Sequence, residues 1–271
     1  MKRLMLGLLL LPSLAQAALE TNEWTVLNQA GWGYGGRTPE IDNSTDTPAG
    51  GGALNFRFGP AATGSSESMS GGHIGYGTNL PQEYYFGHWV KWSSNWLWHP
   101  NGSKIDYFVS VAGPDGFGSN VMVFVWGNQT MTGGCRSGIG MHVQRIWGGG
   151  TYSLPQTGSV SLCPGTWYWV ESHVRANTPG QADGTFEFWI NDVPISSVSN
   201  MAMVGPTQSG AWQHAQHSPE YGGGPFGPMP NEQDMWVDHT VISTTRIGRP
   251  GGSPPAGDTT APSAPTSLTV N

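Results

Sequence analysis

Apolar and polar residues alternate along several short segments of this chain, and no segment of helical length repeats at the 3.6-residue period of a helix. The clearest case is the segment TFEFWI, where Phe186, Phe188 and Ile190 fall on one face of a strand. Asn191 and Asp192 follow it and supply turn residues before the chain becomes apolar again. The pattern predicts a β-hairpin here.

Three other segments indicate further strands. Residues 167–175 and 141–147 alternate in the same way, and on the second of these His142 and Gln144 share a face. Residues 121–126 form a continuous apolar run, which is typical of a strand buried on both faces. Short strands between Gly, Pro, Asn and Asp signals, without a fixed repeat, predict an all-β jelly-roll sandwich of two curved antiparallel sheets.

The two ends of the chain depart from this pattern. Residues 1–17 have a charged start, an apolar run and an Ala-Gln-Ala cleavage site, which predicts a signal peptide and a secreted or periplasmic protein. Residues 249–261 are rich in Pro, Gly, Ser and Thr and predict a linker. A single domain is therefore expected at residues 18–248, with no membrane span after the leader.

The composition limits the partners. Only 11% of residues are charged and the formal net charge is −7, without basic clusters, which argues against nucleic acid. An acidic polymer would have to be met by a few local Arg or Lys residues. We expect a monomer. Cys135 and Cys163 are the two cysteines, and in an exported chain they predict a disulfide, the alternative being two free buried thiols.

Aromatic residues are concentrated in residues 84–110, together with Lys91 and Lys104, the lysines that remain outside the leader. A glycan site combines flat aromatic platforms with hydrogen-bonding groups, and tryptophan offers an apolar body with a polar handle. Trp96 and Trp98 are therefore predicted to bind substrate. The alternative is a buried strand pair with a decorated turn.

Three segments together resemble the concanavalin A-like (laminin G and polysaccharide lyase-like) jelly-roll domain of secreted bacterial carbohydrate-active proteins. They are the aromatic segment at residues 84–109, the strand–NTPG–DG–strand hairpin at residues 165–192, and MWVDHTVIST at residues 235–244. The resemblance covers roughly residues 24–248 and implies this fold and a polysaccharide partner. Residues 262–271 resemble the truncated start of a fibronectin type III domain.

Departures from the family patterns bear on the activity. Glycoside hydrolases of this fold carry E-x-D-x-E on one strand, whereas here Glu187 is followed two positions on by Trp189 and Glu171 by His173. The alginate-lyase motifs Q-I-H and Y-F-K-A-G are absent too. No G-x-S-x-G elbow, P-loop or dinucleotide motif occurs.

β-Elimination of a uronate polymer needs a group that neutralises the carboxylate, a base and an acid, and His, Lys and Tyr suit the last two roles. The candidate catalytic residues are His142, Lys104, His99, His73 and Tyr107. The candidate substrate-binding residues, besides the two tryptophans, are Gln144 and Arg145. On a regular strand over residues 103–109, Lys104 would share a face with Asp106, and Tyr107 would join it only through a bulge. Surface or loop positions without a catalytic role are the alternative for each.

A metal is a weaker expectation. His214 and His217, with Glu220 after them, have metal-ligand residue types, but the spacing suits a helix, so a mobile loop at the rim of the site is preferred. The fold makes a structural Ca²⁺ plausible, with Asp238 as a candidate ligand, and no cofactor is required.

The sequence thus favours a polysaccharide lyase acting on an acidic, uronate-containing polymer. The alternatives are a noncatalytic laminin G-like glycan-binding module and an adhesion domain without a sugar site.

Overall fold

The computed structural model describes residues 18–22, 39–59, 69–70, 74–76, 80–110, 120–126, 133–144, 150–222 and 231–251. These residues form strands joined by turns, and none of them belongs to a helix long and apolar enough to cross a bilayer. The predicted signal peptide, most of the predicted linker and the fibronectin-like end lie outside the described residues. The all-β prediction is confirmed.

The strands follow one another along the chain as β1 (Ala18–Asn22), β2 (Glu40–Asp42), β3 (Ala53–Phe58), β4 (Met69–Ser70), β5 (Ile74–Tyr76), β6 (Glu83–Trp92), β7 (Ser103–Ser110), β8 (Asn120–Val125), β9 (Ile139–Gln144), β10 (Thr151–Ser153), β11 (Tyr168–Arg175), β12 (Gly184–Ile190), β13 (Val193–Met201), β14 (Trp212–Tyr221) and β15 (Gln233–Ser243).

Two antiparallel sheets result, as predicted. Sheet 1 has the order β13-β12-β11-β6-β15-β3-β2, and β1 also pairs with β15. Sheet 2 has the order β10-β9-β8-β7-β14-β4, and β5 also pairs with β14. Neighbours distant in sequence, such as β6 beside β15, show that the strands cross between the sheets as in a jelly roll.

The inner faces of both sheets share one hydrophobic core. Phe186, Phe188 and Ile190 are fully buried in it, as their alternation predicts. Asn191 and Asp192 then close the hairpin of β12 and β13 with φ values of 49° and 65°. Two consecutive positive φ values define the type I′ turn, which Asn and Asp tolerate better than most residues.

The predicted disulfide between Cys135 and Cys163 is present, over a sequence separation of 28 residues. Beside it, the backbones of Arg136 and Leu162 pair through a hydrogen bond of 2.8 Å. The disulfide therefore joins two loop segments that are already in register.

The described part of sheet 2 contains three register shifts that the sequence analysis did not place, one of them between Trp212 and His214 on β14 and the other two beside candidate site residues. On β7 one extra residue lies between Lys104 and Tyr107, and on β14 the register shifts between His217 and Glu220. The predicted loop at residues 214–217 is wrong, because these residues belong to β14, where Pro219 marks the bulge.

Candidate functional site

The outer face of sheet 2, opposite the core, gathers half of the catalytic, substrate-binding and metal-ligand candidates that the structure describes. On β8 and β9 the residues Val123, Met141 and Val143 are fully buried in the core. Their neighbours in sequence, such as Phe124 and His142, therefore lie on the outer face and are partly exposed.

The pairing register arranges this outer face in three rows across the strands. The first row contains Glu220, Lys104, Phe124 and Gly140. The second contains Gln216, Tyr107, Met122, His142 and Ser153. The third contains His214, Val109, Asn120, Gln144 and Thr151.

The bulge of β7 decides the composition of these rows. Ile105 and Asp106 are consecutive and both buried in the core, so the regular alternation fails between them. Lys104 and Tyr107 consequently occupy positions on the same outer face, although they are three residues apart. The expected pairing of Lys104 with Asp106 on one face is wrong, because the bulge turns Asp106 inward.

Lys104 donates a hydrogen bond to the carboxylate of Glu220 on the neighbouring strand, and the two side chains are 22% and 23% exposed. The pair keeps the ammonium group at the surface and beside the second row. Glu220 is a site residue that the sequence analysis considered only as a metal ligand. Since it lies 116 positions from Lys104, no local pattern could have paired them.

His142 lies between polar and aromatic neighbours. Its Nδ1 is 2.9 Å from Oγ of Ser153 on β10. The rings of Phe124 and Trp126 lie 6.3 Å and 6.0 Å from the imidazole, between centroids. Burial lowers the pKa of His142 below its usual value, and the positive charge of Lys104 lowers it further. The imidazole is therefore neutral near pH 7, as a general base requires.

Amide side chains lie on the same face as Lys104 and His142. Gln144 is partly exposed on β9, two positions along the strand from His142. Gln216 lies on β14, paired with Tyr107, and His214 is on the same face with a pKa lowered by burial. Amide N–H groups can donate hydrogen bonds to a substrate carboxylate.

Two predicted substrate-binding residues have a different environment. Trp96 and Trp98 are 2% and 1% exposed and pack against each other in the core. The indole N–H of Trp98 donates to the carbonyl of Gly134 at 2.7 Å. A stacking platform has to be exposed, so the structure places neither ring where a sugar could stack on it. The buried strand-pair alternative accounts for them.

His99 also lies away from the outer face of sheet 2. It is 3% exposed, packs edge-on against Tyr221, and its Nδ1 accepts the N–H of Asn101 at 3.0 Å. Burial lowers its pKa. The predicted site residues His73 and Arg145 lie outside the described residues, and only the backbone of Tyr107 is described.

Asp238 is fully buried on β15, and one of its oxygens accepts the N–H of Ala49 at 3.1 Å. A Ca²⁺ site needs six to eight oxygen ligands, whereas this carboxylate oxygen is engaged by an N–H donor. The fit is poor, and we derive no step through a cation there.

A second group with metal-binding residue types lies between the sheets. The ligand atoms of His88, Asp106 and His217 are all within 4.8 Å of one another. However, Asp106 accepts hydrogen bonds from both imidazoles, at 2.8 Å from His88 and 2.6 Å from His217. In this structure hydrogen bonds therefore join these three side chains.

Comparison with known proteins gives similarity in structure only. No family model matches the chain, and no curated protein matches it in sequence. Among solved structures it is similar to endo-β-1,4-glucuronan lyase from the fungus Trichoderma reesei, with a TM-score of 0.59 and 14% identity over 84% of this chain and 96% of that one.

Two alginate lyases are similar as well. The PL-14 enzyme from Aplysia kurodai gives a TM-score of 0.54 at 12% identity, over 76% of this chain and 87% of that one. The enzyme vAL-1 from Chlorella virus gives 0.53 at 14% identity, over 76% and 90%. At these identities the comparison shows the fold, and the chain has the two-sheet jelly-roll architecture of these lyases.

Proposed function

We propose that this protein is a polysaccharide lyase that cleaves a uronate-containing polymer by β-elimination on the outer face of sheet 2. The observation that carries the proposal is the convergence of Lys104, Tyr107 and His142 in adjacent rows of that face, with amide side chains beside them. The fold shared with glucuronan and alginate lyases supports the same substrate class.

The spacing of the strands suits a sugar ring. Tyr107 and His142 are in the same row on strands separated by β8, so their Cα atoms are roughly 10 Å apart. Met122 is paired with both and lies between them in the row. A pyranose ring resting there would have titratable positions on two sides.

Each step of the reaction has a candidate group. His142 takes the proton from the carbon next to the uronate carboxylate, and the electron pair forms the C=C bond as the glycosidic C–O bond breaks. Gln144 and Gln216 donate hydrogen bonds to the carboxylate, and the ammonium of Lys104 stabilises the negative charge that develops on it. Tyr107 is the candidate acid that protonates the leaving oxygen.

The test is a panel of alginate, glucuronan and glycosaminoglycans, monitored by the ultraviolet absorbance of the new C=C bond. At least one polymer should give a rise with the wild-type protein. His142→Gln should lower kcat by about 10²–10⁴-fold while substrate binding persists, because a positioned base contributes that much. Lys104→Met should lower kcat by about 10²–10³-fold, because a group that stabilises developing charge contributes that much.

Lys91→Met is the matched control. Lys91 lies on sheet 1, where its ammonium donates to Thr45 and is 4.8 Å from the ring centres of both Trp167 and Trp236. The Lys91→Met variant should retain the wild-type kcat. Binding to these polymers without any rise in absorbance would instead identify the glycan-binding alternative. If the protein showed no binding and no turnover, the lyase and the glycan-binding module would both be excluded.

A further inference from the structure

The interior of the sandwich holds a cluster of polar side chains contributed by both sheets. His88 on β6 and Thr240 on β15 belong to sheet 1, and Asp106 on β7 and His217 on β14 belong to sheet 2. None is more than 1% exposed. We refer to these four residues as the inter-sheet cluster. Buried polar groups in a hydrophobic core are costly unless they are fully hydrogen-bonded, so such a cluster requires an explanation.

Hydrogen bonds link all four side chains of the inter-sheet cluster. Nδ1 of His88 lies 3.3 Å from the carbonyl of Trp89, and Nε2 lies 2.8 Å from Asp106, so both ring nitrogens face oxygen atoms. His217 donates from Nδ1 to Asp106 at 2.6 Å, and its Nε2 is 3.0 Å from the hydroxyl of Thr240. Asp106 is thus a carboxylate held between two imidazole rings.

The inter-sheet cluster lies where β7 and β14, the two strands of sheet 2 that contribute to it, change register. Asp106 and His217 are direct cross-strand partners. From Lys104 to Tyr107 β7 takes three steps while β8 takes two, and the β14 bulge begins at His217. The buried pair therefore lies directly behind the first and second rows of the outer face.

We propose that the inter-sheet cluster is a positioning device for catalysis, in which Asp106, anchored by His88 and His217, holds the β7 bulge and so keeps Lys104 and Tyr107 on the same face. The inference rests on the proposed function and extends it to residues that do not touch substrate. Without this anchor, β7 can return to regular alternation, which would turn one of the two positions toward the core.

Asp106→Asn is the principal test. The side chain keeps its size, but one of its two acceptors becomes a donor that faces an imidazole N–H. We expect kcat on the best polymer of the panel to fall at least about tenfold per folded molecule, with a smaller change in KM. Thr240→Val removes only the hydroxyl beside His217 and should lower kcat in the same direction, by less.

Ile190→Ala is the matched control for stability. Ile190 is fully buried on β12 of sheet 1 and has no contact with either bulge in the pairing register. It should lower stability while leaving kcat per folded molecule unchanged. An effect of Asp106→Asn no larger than that of Ile190→Ala would overturn the positioning role.

A second readout does not need turnover. Because the charge of Lys104 lowers the pKa of His142, the NMR titration midpoint of His142 reports on the position of Lys104. Lys104→Met defines the upward shift, and Asp106→Asn should move the midpoint in the same direction. A folded Asp106→Asn protein with an unchanged midpoint shows that Lys104 has kept its position, and an unchanged midpoint together with an unchanged kcat contradicts the proposal.

The two proposals can fail separately. A wild-type protein without turnover on any polymer rejects the lyase proposal, while the titration of His142 still tests the positioning of Lys104. If neither Asp106→Asn nor Thr240→Val folds under conditions where Ile190→Ala does, the inter-sheet cluster is a folding requirement and its separate positioning role is rejected.

Discussion

His217 and Asp106 are buried residues whose pKa values both lie below those of exposed side chains. Burial, and then the positive charge of His88, lower the pKa of His217 to about 4, against the opposing effect of Asp106. The pKa of Asp106 is about 2, because the attraction of His88 and the hydrogen bonds from both imidazoles outweigh a desolvation that acts in the opposite direction. For both groups the unfolded chain binds its proton at a higher pH than the folded chain does.

The sign of the resulting pH dependence follows directly. The contribution of His217 is fully present above about pH 6.5 and is lost as the pH falls toward 4, and that of Asp106 is lost between about 3.8 and 2. We expect the free energy of unfolding to fall by up to about 1.4 kcal/mol per pH unit for His217 alone. Urea denaturation at pH 7, 5.5 and 4.5 measures this slope.

The control is a His217→Gln variant. It should be less stable at pH 7 but lose less stability between pH 6.5 and 4. A residual slope is expected because burial also lowers the pKa values of His99, His142 and His214. Equal slopes in the two proteins would show that His217 is not the group that titrates.

Single residues also show what sequence could not predict. Four tryptophans among polar residues indicated a glycan platform, yet Trp96 and Trp98 fill the core. A tryptophan has the same composition signal in either place, and its environment depends on strands far away in sequence. The placement of His142 opposite Met141 and Val143 was predictable, because a regular strand alternates.

At the scale of elements, alternation predicted the strands and the hairpin of β12 and β13 but not the bulges. Ile105 and Asp106 are adjacent, and nothing in their own segment indicates that both face inward. The visible signal was Pro219, which removes a ladder donor within a strand and therefore favours a bulge. The partner strand, and with it the register, is defined only in the folded sheet.

The hairpin turn gives a prediction at this scale. Asn191 has a φ of 49°, and its side-chain oxygen accepts the N–H of Trp169 at 2.9 Å. Asn191→Ala should cost about 2–3 kcal/mol of stability, because it loses a hydrogen bond and strains the backbone. Asn191→Gly keeps the turn and should cost about 1 kcal/mol.

Thermal and urea unfolding of both variants measure the difference. Asn95→Ala, an exposed position whose amide donates to the carbonyl of Glu232, should change stability by less than about 1 kcal/mol. If the Ala and Gly variants at position 191 were equally stable, the positive φ would not be a source of strain.

At the scale of the whole molecule, charge governs how an acidic polymer reaches the site. The net charge is −7. Among the described residues of the proposed site, Lys104 supplies the positive charge, and it is already paired with Glu220. Long-range repulsion between protein and polymer is therefore expected to oppose short-range attraction in the groove. The two differ in range, and salt separates them, because the screening length falls from about 30 Å at 0.01 M to about 8 Å at 0.15 M.

We accordingly expect KM for the polymer to fall, and kcat to stay constant, as NaCl rises from about 0.01 M to about 0.15 M, because that increase screens the distant repulsion before it weakens the contact with Lys104. Initial rates across substrate and salt concentrations measure both constants. A short oligosaccharide carries few charges, so its KM should change much less over the same range. If KM for the polymer rose steadily from the lowest salt, a positive field would be steering it to the protein, and the acidic surface could not be what the polymer meets first.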